Sequence, residues 1–90
     1  MKSASRVREP SSGLAGAPGT VDEYIGARMR ESRLALSMTQ ESLGELLGVT
    51  FQQVQKYERG ANRVSASRLF EICEAMHVSL TSMFERDLKT

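Results

Sequence analysis

The feature that most constrains the fold of this chain is a glycine followed two positions later by a threonine, Gly48 and Thr50. An apolar stripe at helical spacing lies just upstream: Leu43, Leu46 and Leu47. Gly48 can end that helix because glycine adopts the left-handed conformation without a Cβ clash. Thr50 with Gln53 three residues later has the capping-box pattern that begins another helix. The sequence therefore predicts two short helices joined by a linker of only Gly48 and Val49.

Helical patterns continue on both sides of this pair. Helix 1 is predicted from Val21 to Leu36, with acidic residues at its start that suit the helix dipole. Its apolar residues recur at steps of one or two turns: Tyr24, Ile25, Met29 and Leu36. Thr39 is the predicted cap of helix 2, and Gly60 the predicted end of helix 3.

Two more helices are predicted after Gly60. Ser65 caps a fourth helix whose apolar residues share one side: Leu69, Ile72, Cys73 and Met76. Ser79 caps a short fifth helix that carries Met83 and Phe84. The predicted fold class is all-α with five helices. Helices 2 and 3, joined by a tight glycine turn, form a helix-turn-helix motif.

Composition divides the chain into a tail and one domain. Residues 1–20 are rich in small residues, glycine and proline, and are predicted to be a flexible N-terminal tail. Residues 21–87 form the predicted domain, and residues 88–90 its C-terminal end. A chain of 90 residues has room for one small core, and domains of this size often gain stability by dimerising.

The charge of the whole chain does not predict a general affinity for nucleic acid, since the formal net charge is only +1. Between residues 50 and 68, however, four cations accompany a single acidic residue, Glu58: Lys56, Arg59, Arg63 and Arg68. The distribution therefore predicts a local basic patch on a near-neutral body.

Other classes of function find little support in the sequence. No apolar run approaches the roughly 18 residues of a membrane span, and no apolar segment follows the N-terminal cations, so we expect a cytoplasmic protein with no membrane partner. Cys73 and His77 lie four residues apart, but Cys73 falls on the apolar stripe of helix 4, which favours a core cysteine over a nucleophile. We expect no catalytic residue, no metal site and no cofactor, and hence no enzyme.

The exposed face of helix 3 is the candidate functional surface. With Val54 at the centre of the buried face, Gln52, Lys56 and Arg59 lie roughly opposite and Gln55 at the flank, while Phe51 falls within about 60° of Val54. Glutamine amides pair with adenine and lysine donates to guanine in the major groove, and a phenylalanine can meet a thymine methyl. The predicted base-reading residues of this recognition helix, residues 50–59, are Thr50, Phe51, Gln52, Gln55 and Lys56. The same polar face also suits a helix that is simply solvated.

The segment "QESLGELLGVTFQQVQKYER", from Gln40 to Arg59, resembles the helix-turn-helix of the Cro and cI-like (XRE) bacterial transcriptional regulators. The likeness runs from about Ile25 to Phe84 and is closest to short alphaproteobacterial members. It implies a five-helix lambda-repressor-like domain that binds double-stranded operator DNA as a homodimer, with a dimer contact through helix 5.

The resemblance also implies roles for individual residues. Gln40 matches a phosphate contact that braces the recognition helix, and further residues match positions near the DNA backbone: Gln53, Gln55, Arg59, Asn62 and Arg63. Arg33 and Glu58 match a buried structural ion pair. Three residues depart from the family pattern. Ser32 stands where the family usually has leucine, Ser37 where it has glycine, and Gly44 where it has alanine. We expect Ser32 to weaken the core and Gly44 to cost helix 2 up to about 1 kcal/mol.

The sequence hypothesis is a sequence-specific transcriptional regulator, in this family most often a repressor on a palindromic operator. The alternative is an antitoxin-like or protein-interaction module that binds DNA together with a partner protein. The basic tail could follow the minor groove as an arm, although a plain disordered tail is favoured.

Overall fold

The computed structural model describes residues 19–85, which fold into four α-helices and one short 3-10 helix. These elements are α1 (Val21–Ala35), α2 (Gln40–Leu47), α3 (Phe51–Glu58), α4 (Ala66–Met76) and the 3-10 helix Leu80–Met83. No strand occurs within the described range, so the all-α prediction is confirmed. The flexible tail predicted for residues 1–20 lies outside the described residues, apart from Gly19 and Thr20.

Each α-helix begins at a hydroxyl residue that satisfies a backbone N–H of its first turn. The cap residues and the N–H groups from which they accept are Thr20 from Glu23, Thr39 from Ser42, Thr50 from Gln53, and Ser65 from Arg68, at 2.9 to 3.1 Å. The predicted caps of helices 2, 3 and 4 are therefore present. Of the two hydrogen bonds of a capping box, the structure shows the one that Thr50 accepts from the Gln53 N–H. The Gln53 side-chain amide donates to Asn62 instead.

The predicted fifth α-helix is wrong. The chain forms a 3-10 helix of four residues, Leu80–Met83, and the Ser79 side chain makes no capping hydrogen bond. A segment this short has no room for a stable run of α-helical hydrogen bonds, and it is fixed instead by packing of its buried Met83. Phe84, which follows, is half exposed.

The turn between α2 and α3 depends on two glycines. Gly48 has φ +76°, and the next N–H, that of Val49, donates to the carbonyl of Gly44 at 2.9 Å. A Cβ on Gly44 would lie 2.7 Å from the Val49 carbonyl oxygen. Gly44 therefore lowers the helix propensity of α2 but leaves the space in which the Val49 carbonyl can lie close to the helix.

The core lies where all five elements meet, and its buried apolar residues are Met29, Leu43, Val54, Tyr57, Leu69, Ile72, Cys73, Met76 and Met83. Leu36 and Leu46, which the helical stripes assigned to the buried face, are instead 47% and 61% exposed. Leu36 is the residue that caps the end of α1, beyond the packed face. On α2, Leu43 is buried and Leu47 packs partly against the core, and Leu46 lies to one side of that pair.

Ser37 provides a test of backbone strain, because it adopts φ +56° in the α1–α2 turn. The resemblance implies glycine at this position. Ser37→Gly should raise the free energy of unfolding by about 0.5 to 1 kcal/mol, since glycine tolerates the left-handed region without a Cβ penalty. The matched change Ser32→Gly, inside α1, should lower it by about 0.5 kcal/mol. Urea unfolding followed by circular dichroism measures both. Equal effects of the two substitutions would contradict a strained Ser37.

Candidate nucleic-acid interface

The face of α3 that points away from the core is open to solvent along its length. Gln52, Lys56 and Arg59 are exposed on it, Thr50 is exposed at the N-cap, and Gln55 is partly buried at the flank. Phe51 is 41% exposed although helical geometry places it near the buried face. It is the first residue of α3. The residues predicted to read bases thus share one accessible surface at the start and outer side of α3.

The loop after α3 is tied to the rest of the domain at two points. The Gln53 amide donates to Asn62 Oδ1 at 3.0 Å, which links the first turn of α3 to this loop. Arg63 Nε donates to Asp22 Oδ2 at 3.0 Å, which links the loop to the start of α1. Asn62 and Arg63, two of the residues predicted to lie near the DNA backbone, are exposed and are held in place by these bonds.

Beneath α3 lies a buried ion pair. Arg33 of α1 donates to Glu58 of α3 through two nitrogens, Nε to Oε2 at 2.6 Å and Nη2 to Oε1 at 3.0 Å. The third guanidinium nitrogen donates to the Met38 carbonyl at 2.8 Å, and the Gln40 amide donates to Glu58 Oε1 at 3.0 Å. Both charged side chains are at least nine-tenths buried. One hydrogen-bonded cluster therefore joins α1, the following turn, the first residue of α2 and the end of α3.

The cations of the domain divide into two groups. Four of the seven in residues 19–85 are paired with a carboxylate: Arg28 with Glu31, Arg33 with Glu58, Arg63 with Asp22, and Arg68 with Glu71. Within that range the remaining three, Arg30, Lys56 and Arg59, make no ion pair. Sequence reasoning identified Lys56 and Arg59 but missed Arg30, because the packing of α1 beside α3 is not visible from local patterns.

Cys73, His77 and the acidic side chains of residues 19–85 give no indication of other chemistry. Cys73 is buried in the core, where desolvation raises the pKa of its thiol and so disfavours the reactive thiolate. His77 is an exposed residue at the end of α4, with φ +57°. Across residues 19–85, no group of acidic, histidine and cysteine side chains could hold a metal ion. None of the helices in this range is long and apolar enough to cross a membrane.

Comparison with known proteins agrees with this geometry. A family profile described as helix-turn-helix matches residues 29–83. The chain belongs to that family. An HTH-type transcriptional regulator of Sinorhizobium medicae is 52% identical over 68 residues, which are 76% of this chain and 49% of that relative. This chain therefore spans about half the length of that curated relative. The resemblance inferred from the residues is confirmed, and the family indicates a DNA-binding regulator rather than an enzyme.

Solved structures of helix-turn-helix regulators share the fold. The clp gene regulator ClgR of Corynebacterium glutamicum is similar with a TM-score of 0.71 and 28% identity, over 72% of this chain and 84% of that one. The P22 c2 repressor, solved in complex with a synthetic operator, is similar with a TM-score of 0.62 and 25% identity, over 70% of this chain and 96% of that one.

The buried ion pair can be tested by substituting its partners separately and together. Arg33→Met should lower the free energy of unfolding by about 3 to 5 kcal/mol, because it leaves the Glu58 carboxylate buried without its cation. The double substitution Arg33→Met with Glu58→Leu should recover a large part of that loss. Thermal and urea unfolding of the single and double variants measure the coupling.

Glu71→Gln is the matched control for this pair, since Glu71 takes part in an exposed ion pair with Arg68. It should change stability by no more than about 1 kcal/mol. If Arg33→Met costs no more than this control, the buried pair does not hold the helices together.

Proposed function

We propose that this chain is a sequence-specific transcriptional regulator that binds a palindromic operator as a homodimer through α3, most simply as a cytoplasmic repressor. The observation that carries the proposal is the exposed amide and cation face of α3 on a rigid helix-turn-helix frame. The similarity to the P22 c2 repressor, whose structure was solved with a synthetic operator, supports the same use of the fold here.

The proposed mechanism is occupancy of DNA without chemistry. The N-terminal end of α3 enters the major groove, where Gln52 and Lys56 meet base edges and Phe51 meets a thymine methyl. Residues that contact phosphates fix the register on the duplex and make affinity fall as salt rises. A regulator bound across a promoter in this way excludes other proteins from it.

Dimerisation is supported by apolar side chains left uncovered at the C-terminal end of the domain. Phe70 on α4, Leu80 in the 3-10 helix and Phe84 just after it are 44% to 53% exposed. α4 and the 3-10 helix pack against each other. We infer that a second copy covers them, in a dimer that presents two copies of α3 to successive major grooves about one helical turn apart. The same exposed residues also suit the alternative of an antitoxin-like module, in which a partner protein covers them and the pair binds DNA together.

Selection of bound duplexes from a random DNA library by the purified protein tests this function, at salt high enough to suppress non-specific binding. The proposal expects a palindrome with half-sites about one helical turn apart. Sedimentation of the free protein and of the complex gives the number of copies. If folded protein alone selects no sequence but does so with a copurifying partner, the antitoxin-like alternative replaces the homodimer.

Gln52 provides the residue-level test on the selected operator. Gln52→Ala should cost about 1 to 3 kcal/mol on the best site and relax the preference at one base pair, because it removes a bidentate base contact. Glu74→Ala, at an exposed position on α4, should leave both unchanged. Fluorescence anisotropy with the operator and with single-base variants measures the effect. An equal loss on operator and random DNA would rule out a base-reading role for Gln52.

A further inference from the structure

An open groove lies between the end of α1, the start of α2 and the end of α3. It has a volume of about 540 Å³ and is lined by residues of all three helices, among them Arg30, Thr39, Gln40, Gln55 and Arg59. Arg30 is an exposed residue of α1, and Arg59 is the exposed C-cap residue of α3. The groove therefore brings together two guanidinium groups that are 29 residues apart in the chain.

The electrostatics of the groove favour an anion. Its lining includes one carboxylate, Glu58, which already accepts two hydrogen bonds from Arg33 and one from Gln40. Among residues 19–85, neither Arg30 nor Arg59 has a carboxylate partner. Two uncompensated positive charges that share a concave surface attract a negative ligand more strongly than the same charges on a flat one.

The position of the groove points to DNA as the source of that anion. Arg59 lies on the same exposed side of α3 as Gln52 and Lys56, so the groove is continuous with the surface that reads bases under the proposed function. Guanidinium groups bind phosphate oxygens through paired N–H donors. The buried Arg33–Glu58 pair forms part of the groove lining and joins α1 to α3 there.

We propose that this groove binds a phosphate of the operator backbone and that Arg30, together with Arg59, is a direct ligand of that phosphate. The inference rests on the proposed function and adds a residue of α1 to the interface. The resemblance assigned a phosphate contact to Gln40, and here the Gln40 amide is engaged with Glu58. Arg30 therefore supplies the charge, and Gln40 holds the wall of the groove in place.

Charge substitutions at Arg30 provide the first test, measured by anisotropy on the selected operator and on random DNA over a range of salt. Arg30→Gln should weaken binding to both DNAs by about tenfold and make the slope of log affinity against log salt shallower by about one per protomer. Arg30→Lys should restore most of the salt slope, because it keeps the charge. Thermal unfolding should be unchanged, since Arg30 is exposed.

Arg68→Gln is the matched control, because it removes the same charge from a residue that lines no part of the groove and pairs with Glu71. Its salt slope should stay close to that of the unmodified protein, because Arg68, which the sequence grouped with the basic patch, instead donates to Glu71 and the Leu47 carbonyl away from the groove. If Arg30→Gln and Arg68→Gln have equal effects, Arg30 acts only through net charge and the inference is wrong.

Methylphosphonate substitution of the duplex distinguishes a direct phosphate contact of Arg30 from a purely structural role, which would give no dependence on any single phosphate. Each operator phosphate in turn is replaced by the neutral group, and binding of both proteins is measured. One position should weaken the unmodified protein but not Arg30→Gln, which identifies the phosphate that Arg30 contacts. If the losses of binding free energy from Arg30→Gln and from the phosphate replacement add up at every position, the inference is wrong. The operator and the proposed function would remain. Failure of the unmodified protein to select any DNA would overturn both.

Discussion

The arrangement of the helices depends on one buried ion pair. Burying two charges is costly, and such a pair contributes to a fold mainly when every remaining donor and acceptor is also satisfied. Here the guanidinium of Arg33 is used by Glu58 and by the Met38 carbonyl, and the carboxylate of Glu58 also receives the Gln40 amide. Because these groups belong to three helices and a turn, the position of α3 relative to α1 and α2 is set by hydrogen-bond geometry as well as by apolar packing.

A second constraint acts at the same contact between α1 and α3, about two turns earlier on α1 than Arg33. A Cβ on Gly26 of α1 would meet the carbonyl oxygens of Tyr57 and Glu58, the latter at 2.5 Å, so only glycine permits this approach of α1 to the end of α3. The loop after α3 is then held by Asp22 and by the Gln53 amide. The end of α3 is therefore fixed by its contact with α1, and its first turn is tied to the following loop, which limits the ordering that binding of a ligand would require.

The parts of the structure that sequence reasoning recovered are those with local causes. A hydroxyl cap acts on an N–H three residues away, and Gly48 acts on its own backbone, so the starts of α2, α3 and α4 and the tight turn were predictable. Leu36 and Leu46 were assigned to the buried face but are exposed, because burial depends on which neighbouring helices cover a position and not on spacing alone. Other features depend on tertiary packing, which the periodicity of a sequence does not predict. They are the 3-10 helix, the bond from Arg63 to Asp22, and the groove that Arg30 and Arg59 both line.

The pairing of most cations with carboxylates has a consequence for how such a domain would search a genome. Residues 19–85 carry nine acidic and seven basic side chains, so they lack the broad positive field that holds many DNA-binding proteins on arbitrary sequence. Few counterions would be released on random DNA, and residence there would be short. We expect such a domain to find its site by repeated dissociation and re-encounter rather than by long one-dimensional sliding. Its occupancy would then follow base complementarity closely, with little protein lost to the background.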